Sequence, residues 1–274
     1  MIISASRRTD ILAFNPDFLE KSLKEGFVVV KNPFNPNQKK TIYLKRESIE
    51  GFVFWTRNAL PSLPVLKNLE SKNYPFYIML TFTGYPKILE KKTPSFDYVL
   101  KNFKILSELF SKERIILRYD PIIFSNFTDK QFHLNNFSFI VEKLYPYTKR
   151  VIVSLFDPYK FVLKRMEKIE KLKVINLNDE ELLEFLVQIR KIAENSDMEI
   201  QSCCEGEIFE KAGIKRGACI DINLFNRLFS LNLKWTKDEN QRKNCLCQKS
   251  IDIGNYNTCL SDCIYCYAKK ISHY

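Results

Sequence analysis

Cys259, Cys263 and Cys266 follow a C-x3-C-x2-C spacing, with Tyr265 just before the third. Thiolates are the ligands of iron–sulfur clusters, and a full cubane has four irons. Three ligands on one short loop therefore leave one iron open to a small chelating molecule. The competing reading is half of a zinc knuckle, for which Cys263 and Cys266 would serve. A knuckle accounts for neither Cys259 nor Tyr265, so iron–sulfur chemistry is the expectation.

Five cysteines remain: Cys203, Cys204, Cys219, Cys245 and Cys247. Four of them could form a second tetrathiolate site, with Cys245-x-Cys247 as two ligands from one loop. Cys219 follows Gly217 in a turn before a helix, and Cys203 or Cys204 would come from the end of a strand. Such a site could hold an auxiliary [4Fe–4S] cluster or structural zinc, because tetrathiolate geometry alone does not choose the metal. The plainer alternative is that some are small buried residues.

These loops need a scaffold. The 274 residues suffice for one large domain or two small ones, and 45% apolar with 27% charged residues is ordinary for a globular chain. No apolar run reaches eighteen residues, so no membrane span is expected. The first residues lack the charge order and cleavage site of a signal peptide. Eight cysteines without an export signal argue for reduced thiols and a cytoplasmic location. Lys and Arg number 43 against 32 acids, for a formal charge of +11, which favours anionic partners, nucleic acid among them. The lysines are scattered and not gathered in one block, so a Lys-rich background composition would explain the charge equally well.

Hydrophobic patterning alternates strand and helix. Strands are expected at Ile2–Ala5, Phe52–Trp55, Phe76–Phe82, from Arg114 to Leu117, at Val151–Phe156 and at Met198–Cys203. Between them lie helices at Asp17–Glu25, Pro61–Ser71, Ser95–Phe110, Asp129–Leu144, Lys160–Lys171 and Asp179–Asn195. Phe27–Lys31 and Lys40–Leu44 flank a turn-rich stretch, 32–37, and would pair as a hairpin. Six strands with helical crossovers predict an α/β fold with a parallel sheet. The expected architecture is a partial (β/α)6 TIM-like barrel over residues 1–205. Residues 206–274 form a cysteine-rich, loop-rich segment with one helix, Ile220–Phe229, folded over the barrel mouth.

Polar residues recur where the strands end: Arg7, Arg8 and Thr9; Thr56 and Arg57; Thr81 and Thr83; Arg118 and Asp120; Ser154 and Asp157; Ser202, Cys203 and Glu205. In parallel barrels the loops on that side carry the chemistry. Strand ends are also where any chain leaves its core, so each residue alone says little. His133, in a helix, and His273 receive no role.

Six motifs carry a family resemblance: Ser6-Arg7-Arg8-Thr9-Asp10, Asn32-Pro33-Phe34-Asn35-Pro36, Phe54-Trp55-Thr56-Arg57-Asn58, Arg118-Tyr119-Asp120-Pro121, Lys237-Asp238 with Gln241-Arg242, and the run from Asp252 to Cys259. With them the sequence resembles the domain-of-unknown-function family 1848 over essentially its whole length. That family is noted for a C-terminal cysteine cluster similar to the one near the start of radical S-adenosylmethionine (radical SAM) proteins. The resemblance implies a [4Fe–4S] cluster on Cys259, Cys263 and Cys266, with S-adenosylmethionine (SAM) on the open iron and reductive cleavage to a 5'-deoxyadenosyl radical. It also implies a circularly permuted barrel and a reductant such as flavodoxin or ferredoxin. Tyr265, Thr56 and Ser154 would line the cofactor. Arg7, Arg8, Asp10, Arg118 and Asp120 would form the catalytic set, with the arginines, Arg57 included, binding a carboxylate or phosphate and Asp120 orienting Arg118 or holding ribose hydroxyls. Cys204, if free, could donate a hydrogen atom. No Gly-Gly-Glu stretch is present to bind the methionine amine, so SAM rests on the cysteine loop alone. The alternatives are a nucleic-acid-binding protein with structural zinc or iron–sulfur sites and, third, an iron–sulfur redox sensor or electron carrier.

Overall fold

The computed structural model describes residues 1–32, 35 and 37–269. Part of the turn-rich stretch (Pro33, Phe34 and Pro36) and His273 lie outside the described residues. In chain order the strands are β1 (Ile2–Ala5), β2 (Phe27–Lys31), β3 (Lys39–Tyr43), β4 (Gly51–Thr56), β5 (Phe76–Thr81), β6 (Ile115–Ile122), β7 (Arg150–Leu155), β8 (Glu199–Cys203), β9 (Lys215–Gly217) and β10 (Ser250–Asp252). The helices are α1 (Ile11–Phe14), α2 (Pro16–Glu25), α3 (Leu63–Ser71), α4 (Phe96–Phe110), α5 (Lys130–Leu144), α6 (Lys160–Met166), α7 (Asp179–Asn195), α8 (Glu207–Lys211) and α9 (Ile222–Phe229).

Eight strands form one sheet in the order β10-β1-β4-β5-β6-β7-β8-β9, and every neighbouring pair is parallel. The six expected strands are its centre. β2 and β3 pair antiparallel as a separate hairpin, as their spacing suggests. Three expectations need correction. The tail beyond residue 205 is not only loop and one helix, since it supplies α8 and both edge strands, β9 and β10. The helix expected at Lys160–Lys171 stops at Met166, after which Lys171 has φ +65 in a turn. Ser95, expected as the first residue and N-cap of α4, lies outside that helix at the N-cap position, and its side chain makes no capping hydrogen bond.

Successive strand residues face opposite sides of a sheet. On one side Ile3, Phe54, Ile78, Leu117 and Val153 pack against helical residues such as Leu66, Phe103, Phe137 and Phe185. On the other, Ile2, Val53, Tyr77, Ile116 and Ile152 meet Leu224 and Phe225 of α9. Coverage of both faces explains why these strands read as unbroken apolar runs. The α9 face is stopped by Phe225, whose ring centroid lies 5.0 Å from that of Tyr77. Gly51 is required opposite it, because a Cβ there would overlap the Phe225 ring. The Tyr77 hydroxyl donates to the Cys219 carbonyl at 2.6 Å and accepts from the Asp221 N–H at 2.9 Å, which seats the loop before α9. Among the described residues, no helix is long and apolar enough to cross a membrane.

His133 is a core residue. Its ring is buried among Tyr85, Tyr119, Phe124 and Phe185, with Nε2 2.9 Å from the Ile123 carbonyl and Nδ1 2.8 Å from the Tyr119 hydroxyl. The carbonyl can only accept, so Nε2 carries the proton and Nδ1 accepts from Tyr119. Burial lowers its pKa to about 4. A histidine depressed in the folded state stabilises the fold fully above its unfolded pKa near 6.5, and that contribution is lost as pH falls toward 4. The shift corresponds to roughly 3 kcal/mol. H133Q is therefore expected to lose stability at pH 7.5 relative to the native protein and to close that gap progressively by pH 4.5. Asp10, lifted by burial to about 6, gains stability as pH falls, but it does so in both proteins and drops out of the difference. Urea unfolding of the pair across that range is the measurement, and a gap independent of pH would refute the assignment.

Candidate metal centre

Because the sheet is wholly parallel, all eight strands end on one side. The residues expected there do gather, but in two sets. The first centres on the loop after β10. Cys263 is buried, while Cys259 and Cys266 are half-buried. Burial pushes the Cys263 thiol up to about 12 and raises that of Cys266, so both are neutral thiols in the protein alone. The loop is fixed from three directions. Tyr265 is buried, and its hydroxyl contacts both Glu90 and Arg57 Nη2, the latter at 2.7 Å. Arg57 holds Glu90 with both guanidinium nitrogens, at 2.8 and 3.2 Å, and Thr83 donates to the same carboxylate at 2.6 Å. Burial opposes the Arg57 charge, but the adjacent Glu90 carboxylate holds it protonated. From α6, Arg165 donates to the carbonyls of Ile264, Cys266 and Lys269 at 2.5–2.6 Å. The backbone of the loop joins that of residues 89–92, through Ile264 N–H to the Leu89 carbonyl and Lys92 N–H to the Ser261 carbonyl.

Glu90 and Arg165 escaped sequence reasoning. Glu90 precedes two lysines and reads as solvated charge, and nothing in the sequence marks Arg165. Asp252, inside a quoted motif but given no role, accepts from Ser6 Oγ at 2.7 Å and from the Arg7 and Gly254 N–H groups at 2.8 Å. It ties the end of β10 to the end of β1. Gly254 must lack a side chain there, because a Cβ would overlap Ser6.

The second set is the other five cysteines. The sulfurs of Cys203, Cys219 and Cys247 lie within 4.8 Å of one another, and among the described residues they are the group of three or more potential ligands that is gathered so closely. Cys203 and Cys219 are 3.0 Å apart. Cys245 neighbours Cys247, and Cys204 neighbours Cys245 beside Arg242. Hydrogen bonds from Cys203 and Cys247, then the charges of Arg118 and Arg7, draw the Cys219 thiol well below its usual range. The two cysteine sets suit different contents. In a cubane each thiolate takes a different iron, so the three loop cysteines need not touch to fit such a cluster. Thiols in mutual contact suit one ion.

Between the sets stand Arg7, Arg118, Asp120 and Ser154. Arg118 is ion-paired with Asp120, to which Ser154 also donates. The Arg118 Nε is buried without a partner. Arg7 lies over the Trp55 ring at 5.6 Å, 3.9 Å from Asp238, and its carbonyl accepts from Tyr267 at 2.8 Å. Arg8 instead covers Tyr256 at 5.2 Å. Asp10 caps α1 and accepts from Thr56 Oγ1 at 2.6 Å and the Arg57 N–H at 2.7 Å, so both Asp10 and Thr56 hold the ends of β1 and β4 together. Beyond β8, Glu205 accepts from the Leu155 N–H at 3.1 Å and is pushed up to about 7 by burial.

No curated protein matches the chain. Among solved structures it is similar to a crystal structure described as a "putative alpha-L-fucosidase" from Bacteroides thetaiotaomicron, at 11% identity and a TM-score of 0.36, over 69% of this chain and 87% of that one. A likeness that low supports no transfer of fold or activity. The family model described as "Domain of unknown function (DUF1848)" covers residues 2–268, taking in every motif quoted above, and the chain belongs to that family.

Proposed function

We propose that the protein is a radical SAM-type iron–sulfur enzyme. Cys259, Cys263 and Cys266 would hold a [4Fe–4S] cluster with one iron left to SAM, and the bound pair would supply a 5'-deoxyadenosyl radical by reductive cleavage. One observation carries the reading: β10, the last strand in sequence, is an edge strand parallel to β1, and the cysteine loop leaves its end on the side where Arg7, Thr56, Arg118 and Ser154 lie. The sheet is then a permuted partial barrel whose first strand in space is last in sequence. Residues 1–205 form its body, and 206–274 supply an edge strand on either side and cover its mouth.

The chain's own residues have distinct tasks in this reading. Arg57, Glu90, Tyr265 and Arg165 hold the cysteine loop. Asp10 and Thr56 position the ends of β1 and β4. Arg118, oriented by Asp120 and Ser154, has an unpartnered Nε with which to bind an anionic group of substrate or cofactor, alongside Arg7. Trp55, buried beneath Arg7, excludes water there. The substrate is anionic, nucleic acid being one candidate class, and electrons come from a flavodoxin or ferredoxin in the cytoplasm.

Anaerobic purification, iron and sulfide counts, and incubation with dithionite and SAM make the test. The expected result is about four irons and four sulfides on the loop cysteines, with 5'-deoxyadenosine formed. A cluster without SAM cleavage would point to an electron carrier or sensor. Absence of sulfide would favour the second reading, a nucleic-acid-binding protein with structural metals, which the charge of +11 supports and salt-dependent binding would test.

A further inference from the structure

We propose that Cys203, Cys219, Cys245 and Cys247 bind a single zinc ion, which joins the two edges of the sheet. The ligands come from opposite edges. Cys203 ends β8 and Cys219 follows the edge strand β9, whereas Cys245 and Cys247 precede β10, the other edge strand. The sheet thus curls until the segments flanking its edges meet: the Gln248 N–H donates to the Ile220 carbonyl at 2.9 Å, and Cys247 reaches Cys203 and Cys219. The named strand ladders contain no pairing of β9 with β10. Thiols occupy the place where a ladder would be.

Spacing selects one ion over a cluster. Tetrahedral zinc with Zn–S near 2.3 Å sets its sulfurs about 3.8 Å apart. Three sulfurs within 4.8 Å, two of them at 3.0 Å, need shift only by about an ångström to reach that edge. A cubane would require them to separate much further, since each would bind a different iron. Cys245 is the fourth ligand because it touches Cys247 and is buried, while Cys204 is half-exposed and faces Arg242. A closed, all-protein thiolate set is the structural type of zinc site, and zinc binds such ligands more tightly than ferrous iron. Two thiolates offset the ion's charge and the other two are offset by Arg7 and Arg118, the charges that act on Cys219.

The experiment uses the full chain, purified anaerobically, with zinc, iron and sulfide measured together. One zinc per chain is expected, lost at least tenfold in C219A and C247A and kept in C204A, with iron and sulfide unchanged in all three. Should the alanine variants fail to fold, cobalt loaded into the native protein is the independent readout: intense d–d bands and thiolate-to-cobalt charge transfer, abolished by one equivalent of zinc. No cobalt signal and no zinc would overturn the proposal. So would about eight irons with matching sulfide, halved by C219A, which would place a second cluster here. Neither outcome touches the loop of Cys259, Cys263 and Cys266, and failure to cleave SAM would leave the zinc count unchanged.

Discussion

Alanine at Cys259 or Cys266 is expected to reduce 5'-deoxyadenosine formation to that of a control without protein. Both thiols are half-buried, so their removal leaves the core intact. The loop stays anchored by Tyr265 and by Arg165, whose contacts are to backbone carbonyls and survive the substitution. In the proposed reading the substitution removes a cluster ligand, and with it about four irons per chain. A drop of ~10³-fold corresponds to about 4 kcal/mol in the activation barrier, far beyond what a packing change at a half-exposed thiol could cause. Cys204, outside both proposed ligand sets, serves as the control: C204A should keep iron and cleavage alike. If C259A cleaved SAM at the native rate while retaining its iron, the loop would not be the cluster site.

The largest expected effect on stability is at Glu90. Its carboxylate is 1% exposed and takes Arg57, Thr83 and Tyr265 as partners at once. E90A leaves the Arg57 guanidinium buried without its counter-charge, which costs about 3–5 kcal/mol. For a chain this size that lowers Tm by roughly 10 °C. R57A should cost a similar amount, because it strands the carboxylate instead. The double variant, which buries no lone charge, should be much less destabilised than the sum. The readout is calorimetry on the four proteins. E90A melting within a degree or two of the native protein, or strictly additive losses, would show that the pair does not anchor the loop. E90A should also loosen the cysteine loop, since the Glu90 carboxylate holds Tyr265 and Arg57 beside it.

The centre of the fold was legible because its strands are buried on both faces. Phe52-Val53-Phe54-Trp55 and Phe76 to Leu80 carry an unbroken apolar signal that leaves little alternative. The edge strands carry none. Lys215-Arg216-Gly217 and Ser250-Ile251-Asp252 are three residues each, and hydrogen bonding to a neighbour makes them strands. Their place is set by tertiary pairing, which local pattern cannot encode. The site shows the same division. Cysteine spacing pointed to two sets, and the three closest sulfurs come from the expected second set. The arginines were less readable: residue type gave all four the same anion-binding role, yet Arg57 is committed to Glu90 and Arg8 lies over Tyr256, while Arg118 keeps an unpartnered Nε. Only the partners distinguish them, and Glu90 lies 33 residues from Arg57 in an unremarkable loop.

The pairing of β1 with β10 joins Ile2 to Ser250. Synthesis runs from the N-terminal side, so β1 must wait for β10, far behind it in the chain, before its outer edge is satisfied. At 5–20 residues per second, β10 follows β8 by about 2–10 s. During that interval the helix-covered core can already form, while one flank of β1 is bare and both cysteine sets are incomplete. Filling of either proposed ligand set must therefore wait until Cys245 and the residues after it have emerged, and a product ending before Cys245 would hold most of the sheet yet neither full set. Assembly of the site would then report that β10 has joined β1.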